Sequence, residues 1–350
     1  MSEAEVEIRR EGSLGRITLN RPKAINALTL GMLHAIDAAL DEWAGEPAVR
    51  AVLIDGAGER GLCAGGDIRY LYDNIKAGTF ENSDGFMNFE YRLNARIARL
   101  AKPYIALMDG LVMGGGVGVS AHGSVRIVTE RTKLAMPEVG IGFVPDVGGT
   151  YLLSAAPGEF GTHAALTGET LGAADVILCG LADHHVPSAQ LPALVEALGQ
   201  CRNAAEIAAC VSEHATPPAP GKLAAGTAWI ETCYRHDDIP SILDALQARP
   251  EEAAQATAKR IAGNCPTSLA VTLRALREGR RHGRLEPCLL QEYRLATGLM
   301  RRPDFVEGVR AAVVDKDRNP SWQPATPASV DPSELDALFR FEPPQSLILA

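Results

Sequence analysis

The chain has 350 residues, 46% of them hydrophobic and 22% charged, with a formal net charge of −9. That length suffices for one large α/β core or for a core with an appendage. The acidic balance excludes a global basic field for nucleic acid or an anionic membrane, so an anionic ligand must be held by local devices. No stretch approaches the apolar length of a membrane span. The opening MSEAEVEIRREG has neither the apolar core nor the cleavage pattern of a signal peptide. Seven scattered cysteines, with no CxxC pair, suit reduced thiols in a cytoplasm rather than a disulfide framework or a zinc site.

Residues 5–20 read as a hairpin, VEIRR and RITLN joined by EGSLG. A helix follows, with Thr29 as its N-cap and Met32, Leu33, Ile36, Leu40 and Trp43 on one face. The apolar runs AVLIDG (51–56), YIALMDG (104–110) and VRIVTE (125–130) read as buried strands. Helical segments are expected at 67–77, 83–101 and 114–121. Strands alternating with helices indicate an α/β domain over residues 1–200. From 201 to 350 the chain turns helical, with segments at 203–213, 222–234, 239–248, 250–262, 267–279, 285–301 and 304–315. HATPPAPGK (214–222) breaks the pattern, and 319–334 reads as an irregular tail. The helical region lacks a chemical motif; scaffold, lid and oligomer contact are its default roles.

Two glycine-rich turns stand out. LVMGGGVGVSAHG (111–123) places four glycines at a strand-to-helix junction, where free N–H groups and the helix dipole favour a developing oxyanion. Tight packing would also demand small residues there. GLCAGGDIRYL (61–71) repeats the device, with Asp67 at a helix start. A carbonyl oxygen held by one amide from each turn would sit in an oxyanion hole. In AMPEVGIGFVPDVGG (135–149), Glu138 and Asp146 each follow a proline among apolar residues and glycines. They read either as solvated loop acids or as carboxyls whose pKa is raised toward neutrality for acid–base work. Glu90 falls on the apolar stripe Phe86, Leu93, Ile97, Leu100, where an acid needs a partner or a role.

Other motifs fail on context. GAGERG (56–61) matches a dinucleotide fingerprint, but no helix opens within it. GVSAH misses the nucleophile elbow because His122 stands where glycine is required. His184 and His185 lack a spaced acidic or cysteine partner, so no metal site is expected.

Taken together, GRITLNRPKAINALT, GLCAGGDI, KPYIALMDGLVMGGGVGVSAHG, AMPEVGIGFVPDVGGTYLL and ALTGETLGAADVILCGLAD resemble the crotonase (enoyl-CoA hydratase/isomerase) superfamily over residues 5–200. The likeness resumes at FVEGVRAAVVDKDRNPSW (305–322) and is greatest to the branch of 3-hydroxyisobutyryl-CoA hydrolases. The resemblance implies an α/β, ClpP/crotonase-like fold of repeated ββα units, here with a C-terminal helical region. It implies a residue 1–200 core that binds acyl-CoA, with Gly66 and Gly115 as oxyanion donors and Glu138 and Asp146 as catalytic acids. Glu90 and Gly115 would contact the acyl group, and Arg21, Lys23, Ala27 and Lys316 the CoA moiety. Hydratases carry a further Glu where this chain has Gly118, which favours thioester hydrolysis over hydration. An enoyl-CoA hydratase or isomerase is the rival within the family, and a catalytically dead acyl-CoA-binding protein the rival outside it. No metal or redox cofactor is implied, since CoA arrives with the substrate. Relatives often form trimers, but the helical region could instead fill that surface within a monomer.

Overall fold

The computed structural model describes residues 4–349, and the chain gathers into two compact units built from interleaved segments. Of the described residues, the first comprises 4–66, 93–134 and 171–221; the second comprises 67–92, 135–170 and 222–349.

In the first unit, β1 (Val6–Glu11) and β2 (Leu14–Leu19) form the expected antiparallel hairpin, closed by a turn tighter than EGSLG. β3 (Ala51–Gly56), β4 (Tyr104–Met108), β6 (Val125–Val128) and β8 (His184–His185) follow in parallel, giving the order β1-β2-β3-β4-β6-β8. β5 (Leu111–Met113) and β7 (Lys133–Ala135) form a second, two-stranded sheet. Strands buried on both faces must be apolar throughout, which is why AVLIDG and YIALM read as runs without alternation. On one face Leu53, Ile105, Leu107 and Ile127 pack with Leu194, Leu198, Ile207 and Val211 from the helices Leu191–Leu198 and Ala204–His214. Thr29 caps the Leu30–Ala44 helix by accepting from the Met32 amide, as its position in the sequence predicts.

The expected helix at 114–121 shortens to Gly115–Gly118. Its glycines favour close approach over helical order, and the chain continues as turns. No helix opens within GAGERG; the next one, Ile68–Ala77, is capped by Asp67.

The second unit is helical. It includes the first part of Phe80–Ala98, then Gly149–Ser154 and Phe160–Thr167, and a run from Thr227 to Phe339. The stretch 319–331 is irregular apart from a 3-10 turn at Pro327–Ser329, and beyond it Asp331 caps a helix over Pro332–Phe339. Among the described residues no helix is long and apolar enough to cross a membrane.

One ion pair ties distant parts of this unit together. Arg301 donates to both oxygens of the buried Asp84, at 3.0 and 2.6 Å, and its guanidinium lies over the Phe80 ring. Breaking such a pair leaves an uncompensated buried charge, costing about 3–5 kcal/mol. Arg301→Met should therefore lower the urea midpoint substantially. Adding Asp84→Asn in that background should recover part of the loss in the same unfolding measurement.

Candidate active site

In the first unit the two glycine turns are interwoven. Leu62 and Cys63 donate backbone hydrogen bonds to Asp109 and Leu111, and Met113 donates back to Cys63. At Gly116 a Cβ would stand 2.6 Å from the Cys63 carbonyl oxygen, so nothing larger than glycine fits. Gly65 holds φ +107°, and a Cβ there would lie 3.6 Å from the Gly115 nitrogen. The turns bearing Gly66 and Gly115 thus touch through backbone. Gly115 opens a helix, where the first N–H groups have no intrahelical partner. At Gly66 the bridge to Leu28 uses the Gly65 carbonyl, 2.8 Å from the Leu28 nitrogen, and leaves the Gly66 amide out of that bond.

Asn26 anchors this arrangement, and the sequence reading passed over it. Fully buried at φ +54°, it donates from Nδ2 to the carbonyls of Ala57, Gly61 and Leu62 and accepts the Arg21 amide at Oδ1. Asparagine tolerates the left-handed region better than most residues, and its short amide serves both strands of the loop. Of the residues matched to a CoA site, Arg21 donates to the Ala27 carbonyl and pairs with Glu5, so it stiffens this same loop. Lys23 is exposed and Ala27 half-buried. Lys316, in the second unit, is exposed at φ +60°.

The carboxyl groups belong to the second unit. Glu138 opens a 3-10 turn over Glu138–Ile141 with Pro137 at its N-cap, and Gly142 reverses the chain at φ +72°. Asp146 lies on the next turn, before Val147 at φ +53° and Gly148 at φ +82°. Both acids are buried, at 6% and 5% exposure, which rules out solvated loop acids. Glu90 is buried too, on the stripe that its spacing predicts. Glu138 Oε2 and Glu90 Oε1 have no hydrogen-bond partner. Asp146 Oδ2 accepts from the Tyr91 hydroxyl at 2.7 Å.

A fourth acid joins them. Glu292, on the Leu285–Leu299 helix, is fully buried; its Oε2 accepts the Gly148 amide at 2.6 Å and its Oε1 the Thr150 amide at 2.8 Å. The sequence reading assigned this helix no chemistry.

Among the described residues none of the four acids forms an ion pair, so burial dominates their protonation. Burial and then the Asp146 charge hold the Glu90 and Glu138 carboxyls well above the usual range. Burial pushes Asp146 up to about 7 against the Tyr91 hydrogen bond. It pushes Glu292 up to about 8 against the donors from Thr150 and Gly148. Burial likewise raises the Tyr91 hydroxyl, so it stays protonated and donates. Carboxyls raised toward neutrality in this way are suited to proton transfer.

A profile of the enoyl-CoA hydratase/isomerase family matches residues 14–339. The chain is 41% identical over 344 residues to the 3-hydroxyisobutyryl-CoA hydrolase, mitochondrial, of Rattus norvegicus, covering 96% of this chain and 89% of the relative. It is 39% identical over 343 residues to the human protein of that name, covering 96% and 88%. Among solved structures, a carnitinyl-CoA dehydratase from Mycobacterium thermoresistibile superposes with a TM-score of 0.94 at 46% identity, covering 99% of each chain. An enoyl-CoA hydratase from Rhodobacter sphaeroides superposes at 0.90 and 40% identity, covering 99% and 100%. The chain belongs to the enoyl-CoA hydratase/isomerase family. Its fold is the crotonase fold expected from the sequence, with a C-terminal helical region.

The raised pKa of Asp146 in this family member has a consequence for stability. Unfolded, the group titrates near 3.8; folded, near 7. Its neutral form therefore contributes stability in full below the unfolded value, and that contribution is lost as pH rises through about 7. Asp146→Asn keeps an acceptor for Tyr91 and cannot ionise. Its melting temperature should exceed that of the parent at pH 8, by the equivalent of up to about 4 kcal/mol. The gap should narrow toward pH 5 in thermal scans across that range.

Proposed function

We propose that the chain hydrolyses a short-chain hydroxyacyl-CoA thioester, with 3-hydroxyisobutyryl-CoA as substrate and 3-hydroxyisobutyrate and CoA as products, a step of valine catabolism. The observation that carries this reading is the Glu138 carboxyl, buried with one oxygen unpartnered and held in a cluster that has no ion-paired cation among the described residues. The Rattus norvegicus and human relatives, 41% and 39% identical, bear the name of that hydrolase.

In this proposal the amides of Gly66 and Gly115 receive the thioester oxygen as it gains charge, each donor contributing about 3–4 kcal/mol in the transition state. Glu138 supplies the electron pair, either at the acyl carbon, forming a mixed anhydride, or through a water that it deprotonates. The C–S bond breaks and CoA leaves as a thiolate, stable at a thiol pKa of about 8.5. On the first route water then opens the anhydride and regenerates Glu138. Asp146 and Glu90 accept the hydroxyl of the acyl group and carry protons. An acyl group that bears its own carboxylate would be buried beside these acids without a paired cation, which narrows the substrate class to neutral hydroxyacyl chains. With glycine at 118, hydration of an enoyl chain lacks its second carboxylate. CoA would be gripped at Arg21, Lys23, Ala27 and Lys316, with no metal or redox cofactor assigned. The seven free, buried thiols suit a reducing compartment, and the cytoplasm is our reading of location.

Glu138→Gln should lower kcat for thiol release from 3-hydroxyisobutyryl-CoA by at least about 100-fold with KM little changed, since it removes a group used in the transition state. Thiol release followed with a disulfide reagent, beside loss of enoyl absorbance on crotonyl-CoA, separates hydrolase from hydratase. Full turnover by the variant removes Glu138 from the mechanism. A single turnover in oxygen-18 water places label in Glu138 only on the anhydride route.

The pH profile supplies a second test. Glu138 must be ionised to act, so kcat should fall as pH drops below the neutral range. Asp146→Asn removes the neighbouring charge that raises the Glu138 carboxyl. Its acid limb should therefore move to lower pH even as its maximal rate falls, in kcat measured from pH 5.5 to 9.

A further inference from the structure

Glu292 is the one carboxyl of the buried cluster that the proposed reaction leaves unused. It lies on a helix of the C-terminal region, 144 residues from its Gly148 partner and 142 from Thr150. Both of its oxygens are engaged, and every donor it binds comes from one short stretch of chain. Gly148 and Thr150 donate through their amides, and the Thr150 hydroxyl donates to the same Oε1 as its own amide.

That stretch follows directly on Asp146. Val147 adopts φ +53°, a conformation that a β-branched residue holds only when its surroundings impose it. Gly148 continues the turn at φ +82° and caps the Gly149–Ser154 helix without offering a side chain. The Gly149 amide closes the turn on the Asp146 carbonyl at 2.6 Å. The amides that a capping side chain would ordinarily satisfy are taken instead by Glu292, in trans. The far end of the same turn carries the Asp146 carboxyl, fixed against the Tyr91 hydroxyl at 2.7 Å.

We propose that Glu292 is a positioning residue for Asp146: its carboxyl group clamps the strained Val147–Thr150 turn from the C-terminal helices and so sets where the Asp146 carboxyl stands in the reaction. This rests on the functional reading above for the step it serves, but the clamp itself does not. A carboxyl group suits the task because each of its two oxygens accepts one N–H. Glutamine offers one acceptor and one NH2, so on either rotamer a donor meets a donor. Glutamate is therefore specified by the backbone it binds.

Four variants of the full-length chain test the clamp: Glu292→Gln, Thr150→Val, Asp146→Asn and the double variant Asp146→Asn/Glu292→Gln. In hydrogen exchange followed by mass spectrometry, peptides spanning 146–150 should exchange faster in Glu292→Gln than in the parent, with the β-sheet peptides unchanged. Thr150→Val removes only the hydroxyl donor and should show the same change to a smaller degree, which keeps the test open if Glu292→Gln folds poorly. In thiol release from 3-hydroxyisobutyryl-CoA, Glu292→Gln should lose roughly 10- to 100-fold in kcat with KM little altered, the scale of effect of a misplaced catalytic group. In the Asp146→Asn background the same change should cost no more than about 2-fold, because the two act as a unit. Unchanged exchange at 146–150 in both Glu292→Gln and Thr150→Val overturns the clamp. A full, additive loss of kcat in the Asp146→Asn background overturns action through Asp146. A parent that releases no thiol from any hydroxyacyl-CoA overturns the functional reading instead, and the exchange result then still decides the clamp.

Discussion

Four carboxyl groups buried together, with no ion-paired cation among the described residues, constrain this structure more than any other feature. A charge moved out of water without a partner is costly, and several of one sign compound the cost. The chain meets it with hydrogen bonds where it can and with protons where it cannot. Asp146 has the Tyr91 hydroxyl, and Glu292 has two amides and a hydroxyl. Glu90 and Glu138 keep an oxygen without a partner. The unsatisfied oxygens are those that a substrate hydroxyl or acyl carbon would meet in the proposed reaction, so the cost of burial is concentrated where chemistry needs it.

Much of this was legible in the sequence because it rests on local rules. Thr29 precedes an apolar stripe and caps a helix; AVLIDG is a strand over the residues that its composition marks out. Glu90 announced itself as an acid on a buried face, and Glu138 and Asp146 as acids among prolines and glycines. The same criterion extends to Glu292, which interrupts the stripe Leu285, Cys288, Leu289, Leu295, Ala296 and Leu299. It escaped notice because no motif surrounds it and its partners lie more than a hundred residues away. Tyr91 was invisible for a related reason: a tyrosine in a helix is first of all a packing residue, and only the position of its hydroxyl gives it a role.

Other elements depend on tertiary context. β5 and β7 are three residues each, too short for periodicity to register, and they exist because the glycine turns around them pack backbone to backbone. The helix expected over 114–121 shrinks for the same reason, since residues chosen for close approach are poor helix formers. The final helix was overlooked although Asp331, Pro332 and Glu334 spell out an N-cap, a first-turn proline and an acid near the positive end. The proline-rich run before it drew the reading toward an irregular tail over 319–334. The interleaving of the two compact units is not written in any local pattern, because it depends on which distant segments share a core.

In the proposed reaction the division of labour between main chain and side chain follows from the chemistry each would serve. Amides carry no net charge and cannot titrate, so the turns of Gly66 and Gly115 can be fixed by packing alone, through Asn26 and the glycines that admit close contact. Carboxyls respond to every neighbouring charge and to every change in burial, and a turn held at φ +53° by Val147 would relax if left to itself. Glu292 secures that turn and adds a small share to the raising of the Glu138 carboxyl, which burial and then Asp146 dominate. The C-terminal helices therefore contribute to the electrostatics of the acids as well as to their support, which a reading of those helices as scaffold alone does not provide.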